Sequence, residues 1–198
     1  MKKIVVAFDF DGTITSKDSF LEFIRFSKGS LLFLLGLFIY SPILFSYKLK
    51  LYPNWKAKQK LFSFYFKGIS KDEFEKLGVS FAEKYKKRVL NPKAMAALNS
   101  YLKQDNTKVY IITASIYEWV KPFFDDTNIE IISTIPEYNR DNRLTGRFGS
   151  YNCYGKEKVR QLLIRKSNRE DYTLIAYGDS KGDKELLDFA DKAYYRVF

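Results

Sequence analysis

Three short apolar runs, each stopping at a cluster of polar residues, constrain this chain most. Ile4–Phe8 (IVVAF) stops at Asp9-Phe10-Asp11-Gly12-Thr13. Val109–Thr113 (VYIIT) runs into Ala114-Ser115, and Leu174–Tyr177 (LIAY) stops at Gly178-Asp179-Ser180. Continuous apolar runs rich in β-branched side chains read as strands buried on both faces, the habit of parallel sheets. Ile129–Ser133 (IEIIS) is a weaker fourth candidate. Helical patterns cover 91–104, 116–124, 156–165 and 181–190. Strand alternating with helix predicts an α/β fold, a Rossmann-like parallel sheet flanked by helices. In such sheets ligands bind outside the carboxyl ends of the strands, so the polar clusters are where chemistry is expected. A turn signal across Asn142–Phe148 (NRLTGRF) predicts a hairpin.

The stretch 19–89 breaks the alternation. It reads as helical and aromatic, with Phe20, Phe23, Phe26, Phe62, Phe64, Tyr65, Phe66, Phe74 and Phe81. We expect a helical insertion after the first strand, over 19–89, with residues 1–18 and 90–198 forming the core. Charge divides along similar lines. The net charge is +11, yet no Asp or Glu lies between Glu22 and Asp72, while Arg25, Lys28, Lys48, Lys50, Lys56, Lys58, Lys60, Lys67 and Lys71 do. The rest of the chain holds 25 basic against 23 acidic residues, close to balance. A uniformly basic nucleic-acid binder would not look like this. Aromatics interleave the basic segment at Tyr52, Trp55 and Phe62, but no nucleic-acid-binding motif accompanies them, and no nucleic-acid partner is expected.

Inside the basic segment, Gly29–Tyr47 runs for 19 residues without a charge. A spanning helix needs about 20 apolar residues, and Pro42 argues against one unbroken helix. A single span would also put Asp9 on one side of a membrane and Thr113, Lys158 and Asp179 on the other. Two readings remain. One is a helix pair buried within the insertion. The other is a bent helical hairpin, turning near Ser41-Pro42, that lies in one leaflet. Residues 25–67 would then associate peripherally with anionic lipid, at about 1 kcal/mol per basic residue. Lys2-Lys3 are followed by only five apolar residues before Asp9, fewer than the about 7 of a secretory leader. A cytoplasmic location is expected, peripheral on the inner face of the membrane under the leaflet reading.

Histidine is absent, which excludes Ser-His-Asp and Cys-His catalysis and nearly all catalytic zinc sites. Cys153 is the single cysteine, so no disulfide forms within the chain, and a packed thiol is expected there. Carboxylates, lysines and hydroxyls remain. Asp9 and Asp11 can share a site only where the chain leaves strand geometry, which Gly12 permits. Asp179 and Asp183 lie four apart, on one face if a helix starts there. Four converging carboxylates call for a cation, and Mg²⁺ suits an all-oxygen set. A phosphate would complete the charge balance, held by Thr113, backbone N–H groups and Lys158. A carboxylate attacking a phosphate dianion meets about 4 kcal/mol of repulsion per unit pair at an effective dielectric of about 20. The sum, about 8 kcal/mol, is about six decades of rate, which only added positive charge can offset.

Asp9-Phe10-Asp11-Gly12-Thr13, Thr113, Lys158 and Gly178-Asp179-Ser180-Lys181-Gly182-Asp183 resemble, in order, the four motifs of the haloacid dehalogenase-like superfamily. Leu144–Phe148 and Cys153–Val159 look like its phosphoserine-phosphatase-like branch, subfamily IB, which carries a C1-type cap. The resemblance implies a phosphatase in which Asp9 is the nucleophile and a metal ligand. Asp11 would be the general acid, then the base, its carbonyl touching the metal. Thr113 and Lys158 would bind the phosphoryl oxygens, with Gly12 and Ala114 completing that site. Asp179 and Asp183 would hold Mg²⁺. Asp18, nine residues after Asp9, is either a substrate acid or a helix N-cap. The apolar, basic insert resembles the phosphatidylglycerophosphate phosphatase C-type members, which implies a lipid phosphate substrate. A soluble phosphatase of a small metabolite such as phosphoserine is the alternative. A mutase or phosphotransferase, and a non-catalytic membrane-binding module, are further readings.

Overall fold

A computed structural model describes residues 2–198. The chain opens with strand β1 (Lys3–Phe8) and then runs through four helices: α1 (Ser19–Ile39), α2 (Ser41–Lys48), α3 (Asn54–Phe66) and α4 (Lys71–Val89). Helix α5 (Pro92–Leu102) leads into β2 (Thr107–Ile116), the short α6 (Tyr117–Val120), β3 (Glu130–Thr134), β4 (Pro136–Tyr138) and β5 (Leu144–Phe148). Helix α7 (Lys156–Arg165), β6 (Tyr172–Gly178), α8 (Lys184–Phe189) and β7 (Lys192–Tyr195) complete the chain. Five strands form one parallel sheet in the order β3-β2-β1-β6-β7. It is the α/β, Rossmann-like sheet flanked by helices that the alternation predicts. Val6, Phe8, Ile111 and Ile175 face one buried cluster, Val5, Ala7, Ile112 and Leu174 the other. Burial on both faces explains why these strands read as unbroken apolar runs.

Helix ends follow local chemistry. Ser70 accepts from Glu73 N at the start of α4, whose first turn holds Asp72 and Glu73 and whose last holds Lys86, Lys87 and Arg88. Both charge sets complement the helix dipole. Asn91 caps α5, with Pro92 in its first turn. The 142–148 turn signal is the β4–β5 hairpin, and it packs on α3: Phe148 N donates to Gln59 Oε1, and Gly68 N donates to Leu144 O.

Several expectations need correction. The helix expected over 116–124 is α6 followed by a 3₁₀ turn at Lys121–Phe124, because Pro122 supplies no amide hydrogen to continue it. The one expected over 181–190 begins as a 3₁₀ turn, Lys181–Asp183, ahead of α8. Asp179 therefore precedes the helix and does not share a helical face with Asp183. No hairpin forms at Ser41-Pro42. α1 and α2 meet there at a bend of 63°, and α1 is itself kinked at Gly29, where φ is 76°.

Among the described residues no single helix is long and apolar enough to cross a membrane, though the bent α1–α2 pair passes that test together. Only one residue of the uncharged run, Gly36, is buried. It sits against Tyr65 and Phe64 of α3, and the Tyr65 hydroxyl donates to Phe33 O at 2.8 Å. Leu31, Leu34, Leu35, Phe38, Ile39 and Phe45 are exposed. This pair is a surface feature of the chain.

Candidate active site

β1, β2 and β6 end side by side, and their carboxyl ends carry the three polar clusters together. They line a cavity of about 680 Å³ that also takes in Asp18, just before α1, and Leu44, Tyr47 and Lys58 from the helical segment. A larger open depression, about 820 Å³, lies near the other end of the sheet and touches none of the motif residues.

Lys158, buried on α7, stands at the centre of the site. Its Nζ donates to Asp9 Oδ1 and Asp183 Oδ1, both at 2.5 Å, and to Ile112 O at 2.8 Å. All three ammonium donors are therefore used. Burial alone would drive its pKa down, but Asp9 and Asp183 outweigh it and hold it above the ordinary lysine value. Asp183 is opposed by burial too, and Lys158 with Ser180 brings it below the usual carboxylate range. Burial pushes Asp9 up to about 8, with Lys158 pulling against it and Asp183 and Asp11 adding repulsion.

The loop after β6 is folded around Asp183. Its Oδ2 accepts from Asp179 N, Ser180 N and the Ser180 hydroxyl at 3.2, 3.0 and 2.8 Å. These bonds bring Asp179 beside Asp183 without a shared helix. Asp9, Asp179 and Asp183 each offer an oxygen within 4.8 Å of the others. Asp179 Oδ1 is buried with no hydrogen-bond partner. An orphaned carboxylate oxygen beside two further carboxylates fits a hard divalent cation. Gly12, at φ 80°, lies against the same group, and a Cβ there would come within 2.4 Å of Asp179 Oδ2.

The Asp11 carboxylate turns away from that trio. Its Oδ1 accepts from Ser19 N at 2.7 Å and its Oδ2 from the Ser115 hydroxyl at 2.5 Å. Burial raises its pKa, the Asp18 charge adds to that, and the two serines oppose it. Thr113 Oγ1 accepts from Ser115 N at 3.0 Å near the end of β2, where its pairing with β3 shifts register between Ile112 and Ile116. Asp18 caps α1, accepting from Leu21 N, and lines the cavity as well.

The haloacid dehalogenase-like hydrolase family matches residues 6–188. This chain belongs to that family. Protein CicA of Caulobacter vibrioides is similar, 34% identical over 98% of this chain and 86% of that protein. Two solved structures share the fold. One is a protein with unknown function from Bordetella pertussis Tohama I, 19% identical, with a TM-score of 0.78 over 95% of this chain and 87% of that one. The other is a phospho-aspartyl intermediate analogue of phosphoserine phosphatase, 18% identical, with a TM-score of 0.61 over 96% and 84%.

Two residues, Lys58 lining this hydrolase's cavity and Ser115 buried behind Asp11, receive no role from the sequence alone. Lys58 reaches from α3 to donate to Ala114 O at 2.9 Å. Burial lowers its pKa, while Asp11, Asp18 and Asp9 resist that. Ser115 binds Asp11. Both were hidden by commonness. Lys58 is one lysine among nine in its segment, and a serine two residues beyond a strand run carries no signal of its own.

Proposed function

We propose that the chain is a Mg²⁺-dependent phosphomonoesterase working through an aspartyl-phosphate, with a lipid phosphate such as phosphatidylglycerophosphate as substrate. The observation that carries the catalytic part is Lys158 held between Asp9 and Asp183 with the orphaned Asp179 oxygen alongside. Asp9 is the nucleophile. Asp11 gives a proton to the leaving oxygen and later takes one from water. Thr113 and the Gly12 and Ala114 N–H groups hold phosphoryl oxygens, and Lys158 joins them by exchanging one of its three present partners. Mg²⁺, held by Asp9, Asp179, Asp183 and the Asp11 carbonyl, would offset the negative charge of the phosphate.

The lipid part rests on α1 and α2. Their apolar residues face outward, flanked by basic ones, and Leu44 and Tyr47 of α2 line the cavity itself. A bilayer covering that face would sit beside the cavity mouth, with anionic headgroups near Lys48, Lys50 and Lys56. The protein would then be cytoplasmic and peripheral on the inner membrane face. Residues 19–89 act as the cap in this reading. A second reading has one observation in its favour: Asp18 and Lys58, of opposite charge, both line the cavity, which suits a small zwitterionic phosphomonoester such as phosphoserine.

Phosphate release in Mg²⁺ from phosphatidylglycerophosphate in mixed micelles, beside a panel of soluble monoesters, tests both. Faster turnover of the lipid supports the first reading; turnover of soluble esters alone supports the second. Asp9→Asn should cost about four decades of rate, and EDTA should abolish activity. Retained activity in Asp9→Asn would sink the aspartyl-phosphate route.

A further inference from the structure

Resting on the phosphatase reading, we propose that Ser115 is a positioning residue for Asp11, and that Ser19 and Trp119 set the direction of its hydrogen bond. Four groups form one chain. Trp119 Nε1 donates to Ser19 Oγ at 3.1 Å, Ser19 Oγ lies 3.1 Å from Ser115 Oγ, and Ser115 Oγ donates to Asp11 Oδ2. All three residues behind Asp11 are buried. An indole N–H can only donate, whereas a hydroxyl has one hydrogen to give. Trp119 therefore takes a lone pair of Ser19, and Ser19 turns its hydrogen to Ser115. Ser115 turns its own to Asp11. Asp11 Oδ1 is held from the other side by Ser19 N. With one lone pair on each oxygen occupied, an acidic proton on Asp11 is confined to the remaining ones.

The step this serves balances simply. An Asp9 carboxylate oxygen bonds to phosphorus, and the ester P–O bond breaks. Its electron pair leaves on the ester oxygen, which takes the proton from Asp11. The products are the aspartyl-phosphate, an alcohol and the Asp11 carboxylate. Ser19 is the first residue of α1 and Ser115 follows the β2 motif, so the chain also ties Asp11's orientation to the seating of the helical segment on the sheet.

A general acid matters for a poor leaving group and little for a good one. The test compares kcat/KM for a short alkyl phosphate and for p-nitrophenyl phosphate, in Mg²⁺, with thermal midpoints measured in parallel. kcat/KM includes only steps through leaving-group departure. Ser115→Ala should lower the alkyl value by about 30-fold and leave the nitrophenyl value within about 3-fold, with KM little changed. Trp119→Phe keeps the aromatic stack on Phe20 and Phe23 and should shift the same ratio by about 5-fold. It also serves if Ser115→Ala folds poorly. Equal losses on both esters, or no loss on the alkyl ester, overturn the positioning role. A wild-type protein that releases phosphate from neither ester nor from phosphatidylglycerophosphate, or an Asp9→Asn variant at full rate, overturns the phosphatase reading and this proposal with it; if only the lipid reacts, its alkyl leaving group takes the place of the short ester and Ser115→Ala should again cost about 30-fold.

Discussion

The sheet end and the α1–α2 face break the usual rule of burial in opposite directions. At the sheet end charge is inside: side-chain exposure is 2% for Lys158, 8% for Asp9 and 1% for Asp183. On the α1–α2 face grease is outside: Leu31 is 85% exposed and Phe38 79%. Each inversion has a cost in isolation. Buried charges need partners and further hydrogen bonds, and a contiguous exposed apolar patch is uncommon on a monomeric soluble protein. The first is answered within the chain, by Lys158 and the loop around Asp183. Nothing among the described residues answers the second. That difference separates buried charges that meet partners in their own chain from apolar side chains that meet none.

The first of these inversions breaks most severely at Lys158. Lys158→Met removes the cation between Asp9 and Asp183 and leaves two buried carboxylates facing each other. The expected loss is about 3–5 kcal/mol of folding stability, read by urea denaturation, together with loss of phosphatase activity. Mg²⁺ should return part of the stability if the three carboxylates bind it. A variant as stable as the wild type without Mg²⁺ would show that the ion pairs contribute nothing net.

The second inversion is tested by taking the grease away. Leu31→Ser with Phe38→Ser removes two of the most exposed apolar side chains, each worth about 1.5–3 kcal/mol when fully buried. Binding to anionic vesicles should fall by about 100-fold or more, while the thermal midpoint moves little because neither side chain is packed in the fold. A drop in midpoint with unchanged vesicle binding would mean the face packs against protein instead. Neutral vesicles separate the apolar share from the basic one.

The sheet end was legible in sequence because parallel strands concentrate two signals, an unbroken apolar run and then reactive residues in one short turn. Asp9, Asp11 and Asp179 stand where that logic puts them, lining the cavity, whereas Lys158 reaches the same cavity from α7 and follows no apolar run. The last strand, β7, was missed because its residues are all exposed, leaving no apolar run to notice. Hydropathy marked Gly29–Tyr47 as apolar but carried no information on which side of the surface it lies. Burial depends on what packs against a helix, and here Tyr65 and Phe64 of α3 cover only the Gly36 stripe. The Ser115–Asp11 bond joins residues 104 positions apart, and no local pattern records such a pairing.

The smallest expected effect lies away from both, where α4 packs on α6. Glu118 is the second residue of α6, and its backbone carbonyl abuts Gly78 of α4 so closely that a Cβ there would come within 2.0 Å. Its Oε1 accepts from the Tyr138 hydroxyl at 2.7 Å, while Oε2 is buried without a partner. Burial pushes this carboxyl from 4.5 up to about 6, with Tyr138 and Lys71 opposing and Glu75 adding to the shift. A raised carboxyl costs stability once it ionises. Below about pH 4.5 it is protonated in the folded and unfolded chains alike, and no penalty arises. Between about 4.5 and 6 the unfolded chain loses its proton first, so stability falls as pH rises. Above that the penalty is complete, about 2 kcal/mol. Glu118→Gln stays neutral and keeps an acceptor for Tyr138. It should therefore gain about 2 kcal/mol at pH 8 and about nothing at pH 4 in urea denaturation. An equal gain at both values would trace the effect to packing and leave the α4–α6 joint without a buried charge to relieve.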